Sequence, residues 1–449
     1  MWSSSSNNLY FLGKSFENEP YLFKTNYIIA RPIHVLAGAI KYGEIGDILW
    51  VVTKDGNKTK LYLILNDGEV RKTSFPDFLN PINFYVTRSN SQIFTIVINE
   101  TNNILLYSAS SRNLRFVRIE EKLRIFKNPL IEPCIAIETF ENLPGVVIMN
   151  TETTLEGYAK IFTAISYNYG TKWTHIIPPK VIKERSCVWP SCYLKLQLEC
   201  QINSQKNSIK FSEMSPFLMT SFGTIFRNGV EYYSGILLSE DAGYSWELLP
   251  SSIENLHILD YGNILLGLPK VLNSFYFSYD FGRTWKFLTL KGNSFIEIKI
   301  IYDPSANSLL KTIIALNEKS KEWSYIQIDF SQAIKTNRKE EDYEIYTPGV
   351  HDKFVCFQGQ KRFTYRRKVD VICKSLLNKL PKISPDICPC TQDDFGCIFG
   401  NYFINGQCIK DPDYDQDKTV DICTPGELVS KPSRTKKIEG DICKSNKKW

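Results

Sequence analysis

Ser239-Glu240-Asp241-Ala242-Gly243-Tyr244-Ser245-Trp246 and Ser278-Tyr279-Asp280-Phe281-Gly282-Arg283-Thr284-Trp285 share one pattern, S-x-D-x-G-x-S/T-W, with their tryptophans 39 residues apart. Ser166-Tyr167-Asn168-Tyr169-Gly170-Thr171-Lys172-Trp173 is a third copy with Asn in the Asp position, and Trp323 follows Trp285 by 38 residues, as a decayed fourth copy would. A repeat of about 40 residues is the length of one four-stranded propeller blade. The residue types suit a hairpin corner: Asp and Ser bond turn N–H groups, Gly allows positive φ, and Trp folds back between neighbouring sheets. At most one Asp per copy is too few for a calcium loop. The repeat therefore assigns a structural role to Ser166, Asn168, Gly170, Trp173, to Ser239, Asp241, Gly243, Trp246, and to Ser278, Asp280, Gly282, Trp285.

On either side of these copies the texture is the same. From Ile33 to about Phe330, short apolar or alternating runs such as DILWVVTK, KLYLILND, FTIVIN, GVVIMN and SFYFSYD are separated by Gly, Asn and Asp turns. β-branched and aromatic residues dominate, and the runs are too short for helices, so the pattern predicts an all-β fold. SLLNKL, 375–380, predicts one short helix. From about Lys339 the chain turns to charged residues, Pro and Cys, which marks small, loop-rich modules. The expected division is 1–335 for propeller blades, 336–389 for a first cysteine-rich module and 390–449 for a second.

The 449 residues are 43% hydrophobic, and 54 Lys plus Arg stand against 48 Asp plus Glu, a surplus too thin over this length to predict a nucleic-acid face. Eight of the 12 cysteines lie between Cys356 and Cys443, a density that predicts disulfides and an oxidising lumen. One residue separates Cys388 from Cys390, and paired C-x-x-C knuckles do not occur, so neither metal nor cofactor is expected. No P-loop, HExxH, GxSxG or GxGxxG is present, and no catalytic residue is assigned. The start, MWSSSSNNLYFLGKSF, lacks the basic and apolar regions of a signal peptide, and no stretch approaches about eighteen apolar residues. His34, His175, His257 and His351 are scattered, and none is singled out as a pH sensor.

The repeated octapeptides resemble the Asp boxes of sialidases, some glycosidases and the sortilin family of vacuolar-sorting receptors. The remaining residues choose among these. Trp173-Thr174-His175, Pro178-Pro179, the loop Cys187-Val188-Trp189-Pro190-Ser191-Cys192 and YLKLQLE follow in the order of the middle of a sortilin propeller. Asp342-Tyr343-Glu344, Cys356-x-x-Gly359, Tyr365-Arg366-Arg367-Lys368, Cys388-Pro389-Cys390-Thr391, Asp394-Phe395-Gly396-Cys397, Tyr402, Cys408 and Ile438-Glu439-Gly440-Asp441-Ile442-Cys443 resemble the ten-cysteine region of that family. The likeness runs from about residue 33 to 443 in one order. The Phe/Tyr-Arg-Ile-Pro element of sialidases is absent, and arginines are sparse in the propeller part, which argues against an enzyme.

The resemblance implies a partial Asp-box β-propeller of the ten-bladed type followed by small disulfide-rich modules. It implies a sorting receptor ectodomain that binds protein or peptide cargo in the Golgi and endosomal lumen, where strand edges and a few charged side chains hold extended segments. An Asp-box glycosidase and a soluble lumenal interaction protein are the alternatives. It also implies the disulfides Cys187–Cys192, Cys356–Cys388, Cys390–Cys443 and Cys397–Cys408, leaving Cys134, Cys200, Cys373 and Cys423 without family partners. Thr284 stands where family members can carry a Cys. The arginine that holds a peptide carboxylate in sortilin aligns with Asp47, on the strand Gly46-Asp47-Ile48-Leu49-Trp50, so a free C-terminus is expected to be repelled there. Gln360 to Lys368 reads as one strand with an aromatic face packed and a basic face in water. Asn57 and Asn99 open glycosylation sequons. Ten blades need about twice the chain that 335 residues provide, so the natural product is expected to extend upstream with further blades and a signal peptide, and downstream into a membrane span and a sorting tail.

Overall fold

The computed structural model describes residues 8–15, 18–26, 31–56, 58–65, 68–101, 103–119, 124–125, 136–155, 158–198, 208–212, 214–290, 294–300, 308–334, 339–348, 356–404, 407–415 and 434–444. Over these the chain is all-β apart from single 3-10 turns, and it forms seven consecutive antiparallel sheets. The first holds Leu9–Lys14, Pro20–Thr25 and Ile33–Ala37; the second Ala39–Ile45, Ile48–Asp55, Lys58–Ile64 and Val70–Lys72; the third Pro81–Ser89, Gln92–Asn99, Ile104–Ser110 and Val117–Arg118. In the fourth, Arg124–Ile125 and Ile137–Thr139 both pair with Val147–Leu155, which Tyr158–Ser166 and Thr174–His175 follow. The fifth sets Cys192–Leu196 and Lys210–Ser212 on Ser215–Arg227, then Val230–Ser239 and Glu247–Leu248. Asn255–Leu259, Ile264–Leu268, Ser274–Ser278 and Lys286–Thr289 make the sixth, and Phe295–Ile300, Leu310–Asn317 and Trp323–Asp329 the seventh. Seven sheets exceed the expected five or so, because a blade can be shorter than assumed: the first is complete by Ala37 with three strands.

The second to sixth sheets bury both faces, which explains the near-continuous apolar runs. Ile48, Trp50 and Val52 point into a core shared with the third sheet, while Leu49 and Val51 of the same strand point toward the first. Six such cores join the seven sheets in order, and among the described residues none joins the seventh to the first. The outer face of the seventh sheet carries Trp323 and Tyr325 in solvent.

Two expectations for local structure fail. Trp323 opens the third strand of its sheet, whereas the box tryptophans follow a third strand, so its spacing is coincidental and it belongs to no fourth box. The helix expected at 375–380 shrinks to a 3-10 turn, Leu377–Lys379, because Pro381 follows at once and so few residues cannot repay helix nucleation.

Beyond the sheets, Tyr343–Tyr346 pairs with Thr364–Arg367, Phe395–Cys397 with Thr435–Lys437, and Asn401–Ile404 with Gln407–Lys410. Disulfides join Cys356 to Cys388, Cys390 to Cys443 and Cys397 to Cys408, and within the propeller Cys187 to Cys192. Cys373 is a buried free thiol, and Cys134, Cys200 and Cys423 lie outside the described residues.

Candidate functional site

Strands alternate in direction, so the first-to-second and third-to-fourth turns of every sheet share one end of the stack. The three boxes sit there and are built alike. Ser239 Oγ donates to Asp241 Oδ1 at 2.8 Å and accepts from Gly243 N at 2.9 Å, while Asp241 Oδ1 accepts from Ser245 N at 2.8 Å. Ser278, Asp280, Gly282 and Thr284 repeat this at 2.7, 2.9 and 2.9 Å. Two successive positive-φ residues reverse the chain, Ala242 with Gly243 and Phe281 with Gly282. Trp246 Nε1 donates to Gly243 O and Trp285 Nε1 to Gly282 O, both at 2.9 Å. Burial alone would raise the Asp280 carboxyl, but hydrogen bonds from Thr284 and Ser278 outweigh it and hold it below the usual range.

At the fourth sheet Ser166, Asn168 and Gly170 hold the same geometry, with Asn168 Oδ1 accepting from Ser166 Oγ at 3.1 Å and from Lys172 N at 2.8 Å. Its second atom differs. Asn168 Nδ2 donates to Asp393 O at 3.3 Å, in the loop before Phe395–Cys397, and Lys172 Nζ reaches Asp393 Oδ2 at 3.0 Å.

The cysteine-rich part covers this end of the stack at several points. Phe357 and Phe363 pack into the core between the fourth and fifth sheets, Tyr346 and Val369 into the next, and Ile438 into that between the third and fourth. Gln358 Nε2 donates to Pro144 O, and also to Tyr169 OH at 3.2 Å. A side chain at Gly359, where φ is +75°, would strike the backbone of Cys443, which locks the two disulfide units together. Of the basic residues in 360–368, Lys361, Arg362 and Lys368 are in water as expected, but Arg366 and Arg367 are not. Arg366 donates to Glu240 Oε2 at 2.7 Å and lies 5.1 Å from the rings of Phe217 and Phe281. Arg367 is buried, with Nε on Asn263 Oδ1 at 2.8 Å and Nη2 on Tyr279 O. Guanidinium groups are weakly hydrated and planar, so they seal a face made of carbonyls and rings.

The opposite edges contrast in length in the second and third sheets, whereas the fourth opens on strands of two and three residues and the seventh ends on one of seven. The last strands Val70–Lys72, Val117–Arg118, Thr174–His175 and Glu247–Leu248 have two or three residues each, too short to template pairing. The first strands Ala39–Ile45 and Pro81–Ser89 have seven and nine, and pair on one side only. First strands of neighbouring sheets lie side by side: Thr139 Oγ1 donates to Arg88 O at 2.6 Å, Ser89 Oγ to Phe140 O at 3.0 Å, and Lys41 Nζ stands 4.6 Å from the Tyr85 ring.

Asp47 closes this row, one residue before the strand on which it was expected. It sits in the two-residue hairpin turn with Gly46, not on a strand, and forms an ion pair with Arg88. A Cβ on Gly46 would meet Glu141 Oε1 at 3.3 Å and Arg88 Nη1 at 3.4 Å, so three successive sheets gather alternating charge around one point. A neutralised Asp47 does not present the lone negative charge from which repulsion was argued. Of the two sequons, Asn57 lies outside the described residues, and Asn99 ends the strand Gln92–Asn99, where its Oδ1 accepts from Thr101 Oγ1 at 2.7 Å and Asn103 N at 2.9 Å.

Residues 15–300 match the family described as sortilin, neurotensin receptor 3, and residues 302–449 match its C-terminal counterpart. The human VPS10 domain-containing receptor SorCS2 is 22% identical over 426 residues, covering 91% of this chain and 36% of that protein. Vacuolar protein sorting/targeting protein 10 of Mycosarcoma maydis is 25% identical over 88% of the chain and 26% of its own length, and rat (Rattus norvegicus) sortilin 25% over 67% and 38%. The chain thus spans well under half of these relatives. Among solved structures, the β-propeller domain of the trilobed protease from Pyrococcus furiosus aligns over 71% of this chain and 88% of that one, with 6% identity and a TM-score of 0.31.

Proposed function

The chain belongs to the sortilin family, and on that footing we propose that it is the cargo-binding part of a sorting receptor in the Golgi and endosomal lumen. The observation that carries this reading is the pair of long, one-sided first strands, Ala39–Ile45 and Pro81–Ser89. Extended peptide can add to such an edge, with backbone hydrogen bonds giving affinity and alternate side chains giving selectivity. The charged turn of Asp47, Arg88 and Glu141 lies at one end of that pair and would orient charged cargo. Membrane attachment would come from a segment outside this chain.

Within this reading the box residues are structural, no bond is made or broken, and 336–389 and 390–449 are two modules. Cys356–Cys388 falls inside the first of these, Cys390–Cys443 and Cys397–Cys408 inside the second. Asn57 and Asn99 would carry glycans.

The test uses a display-selected extended peptide and its twin methylated on alternate backbone nitrogens. Loss of three backbone bonds at about 1 kcal/mol each predicts roughly hundredfold weaker binding of the twin. Equal binding of the two would end the edge-capture mechanism, and turnover of a fluorogenic sialoside by the purified chain would revive the glycosidase.

A further inference from the structure

A second surface differs in kind from the strand edges. Between the outermost strand of the third sheet, the Asn168 turn and the second disulfide unit lies a cleft of about 390 Å³. That volume is in the range of small-ligand sites. Its floor is apolar, with Ile119, Tyr169 and Ile438 from three separate parts of the chain meeting in one core. The rim is cationic: Arg112 has 86% of its side chain in solvent, and Lys436 is exposed. Other positive groups nearby are already engaged. Arg118 is buried over the Tyr402 ring at 5.1 Å with Asp413 at 3.9 Å, and Lys437 Nζ donates to Cys443 O at 2.6 Å.

Glu439 gives the cleft its selectivity. Its Oε1 is buried, lies 3.4 Å from Arg112 Nε, and accepts no hydrogen bond. Its ion pair with Arg112 leaves this buried acceptor without a hydrogen bond, so the site has room for a donor as well as an anion. Inorganic phosphate has an O–H donor and negative charge on one small centre, with nothing apolar to fill the floor. A peptide supplies both, along with apolar side chains for the floor.

We propose that this cleft binds a short acidic peptide segment. A backbone N–H of the segment pairs with Glu439, its carboxylates face Lys436 and Arg112, and an apolar side chain between them enters the floor. Because one wall comes from the propeller and the other from the disulfide unit, an occupied cleft also holds the two together. The site is independent of the strand edges.

The probe is acetyl-Glu-Leu-Glu-Leu-Glu-amide, measured against the full chain by fluorescence anisotropy, with its glutamine twin and inorganic phosphate as competitors. The glutamate peptide should bind, the glutamine twin should be at least about tenfold weaker, and phosphate should not compete. Lys436→Glu, at an exposed position, should weaken the glutamate peptide by about tenfold while leaving the melting curve and the display-selected edge peptide unchanged. No binding of the glutamate peptide, equal affinity for the twin, full competition by phosphate, or unchanged affinity in Lys436→Glu would each overturn the proposal. Loss of the edge peptide alone would instead count against the strand-edge mechanism.

Discussion

In the box turns of the fifth and sixth sheets, the second carboxylate oxygen is used inside the turn, by Ser245 Oγ at 2.5 Å and Thr284 Oγ1 at 2.6 Å. In the fourth sheet the atom at that position is an amide nitrogen, and it points its hydrogen at Asp393 O, 225 residues further along the chain. The inner half of the turn is unchanged, since Oδ1 keeps the same two bonds. Asn for Asp, and Lys172 for the Ser or Thr hydroxyl, thus separate a turn that closes on itself from one that holds another part of the molecule. The same division appears in the tryptophans: Trp246 is fully buried with its Nε1 bonded, while Trp173 is half-buried and its buried Nε1 finds no acceptor. We have no physical account of why that indole lacks its bond.

The widest separation between the turns is therefore expected at tryptophan. Trp246→Ala removes a fully enclosed ring from the core between the fourth and fifth sheets and should cost about 3 to 5 kcal/mol in urea melts. Trp173→Ala should cost clearly less, because the ring is already half in water and gives up no hydrogen bond. Trp285, half-buried but with its Nε1 bonded, should fall between the two. Equal losses at Trp246 and Trp173 would break the comparison.

Exchanging the side chains of the two kinds of turn sharpens it further. Asn168→Asp sets an acceptor against the Asp393 carbonyl and adds a charge near the Asp393 carboxylate, an expected loss of about 1 to 2 kcal/mol. The loss should show as faster proteolytic release of the second disulfide unit, with the sheets still folded. Asp241→Asn should cost less, because the Ser245 hydroxyl can turn to accept where it now donates, which a backbone carbonyl cannot do. Faster release in Asp241→Asn than in Asn168→Asp would contradict this account.

How much of this could be read beforehand follows from the range of each interaction. The box pattern and its period are local, so eight consecutive residues carried the turn geometry and the blade. Asn168 read as a worn Asp because its partner lies 225 residues away, and no local pattern connects the two. Arg366 and Arg367 read as a solvated basic face for the same reason: Glu240, Asn263 and Tyr279 are distant in sequence. Trp323 shows the opposite failure, where a period without the Ser, Asp and Gly of the turn proved empty. Disulfide pairing did not follow from spacing and came only from resemblance. The cleft beside Lys436 was invisible, since the third sheet, the Asn168 turn and the second disulfide unit are brought together only by the fold.

The smallest expected effect is that of pH, and it sets the disulfide unit against the propeller core. Burial pushes the Asp441 carboxyl up to about 6, with Asp394 beside it adding to the rise and Cys443 N and Lys437 opposing it. A carboxyl whose folded pKa lies above its unfolded value of roughly 3.9 contributes stability that is complete in acid and is lost as pH rises through about 6. His257 runs the other way. Burial, helped by Lys311 and Lys210, pushes it down to about 3, so the neutral ring is favoured and its contribution is lost as pH falls below about 6.5. Between pH 7 and pH 5 the Asp441 term should strengthen the second unit by about 1 kcal/mol, roughly one pH unit's worth of proton binding. Amide exchange at Ile442 and Cys443 should therefore slow on acidification, after correction for the intrinsic rate, while exchange in Asn255–Leu259 quickens. Asp441→Asn should flatten the first response and leave the second. If acid loosened both regions equally, or the variant kept the parent's profile at Cys443, Asp441 would not be the titrating group.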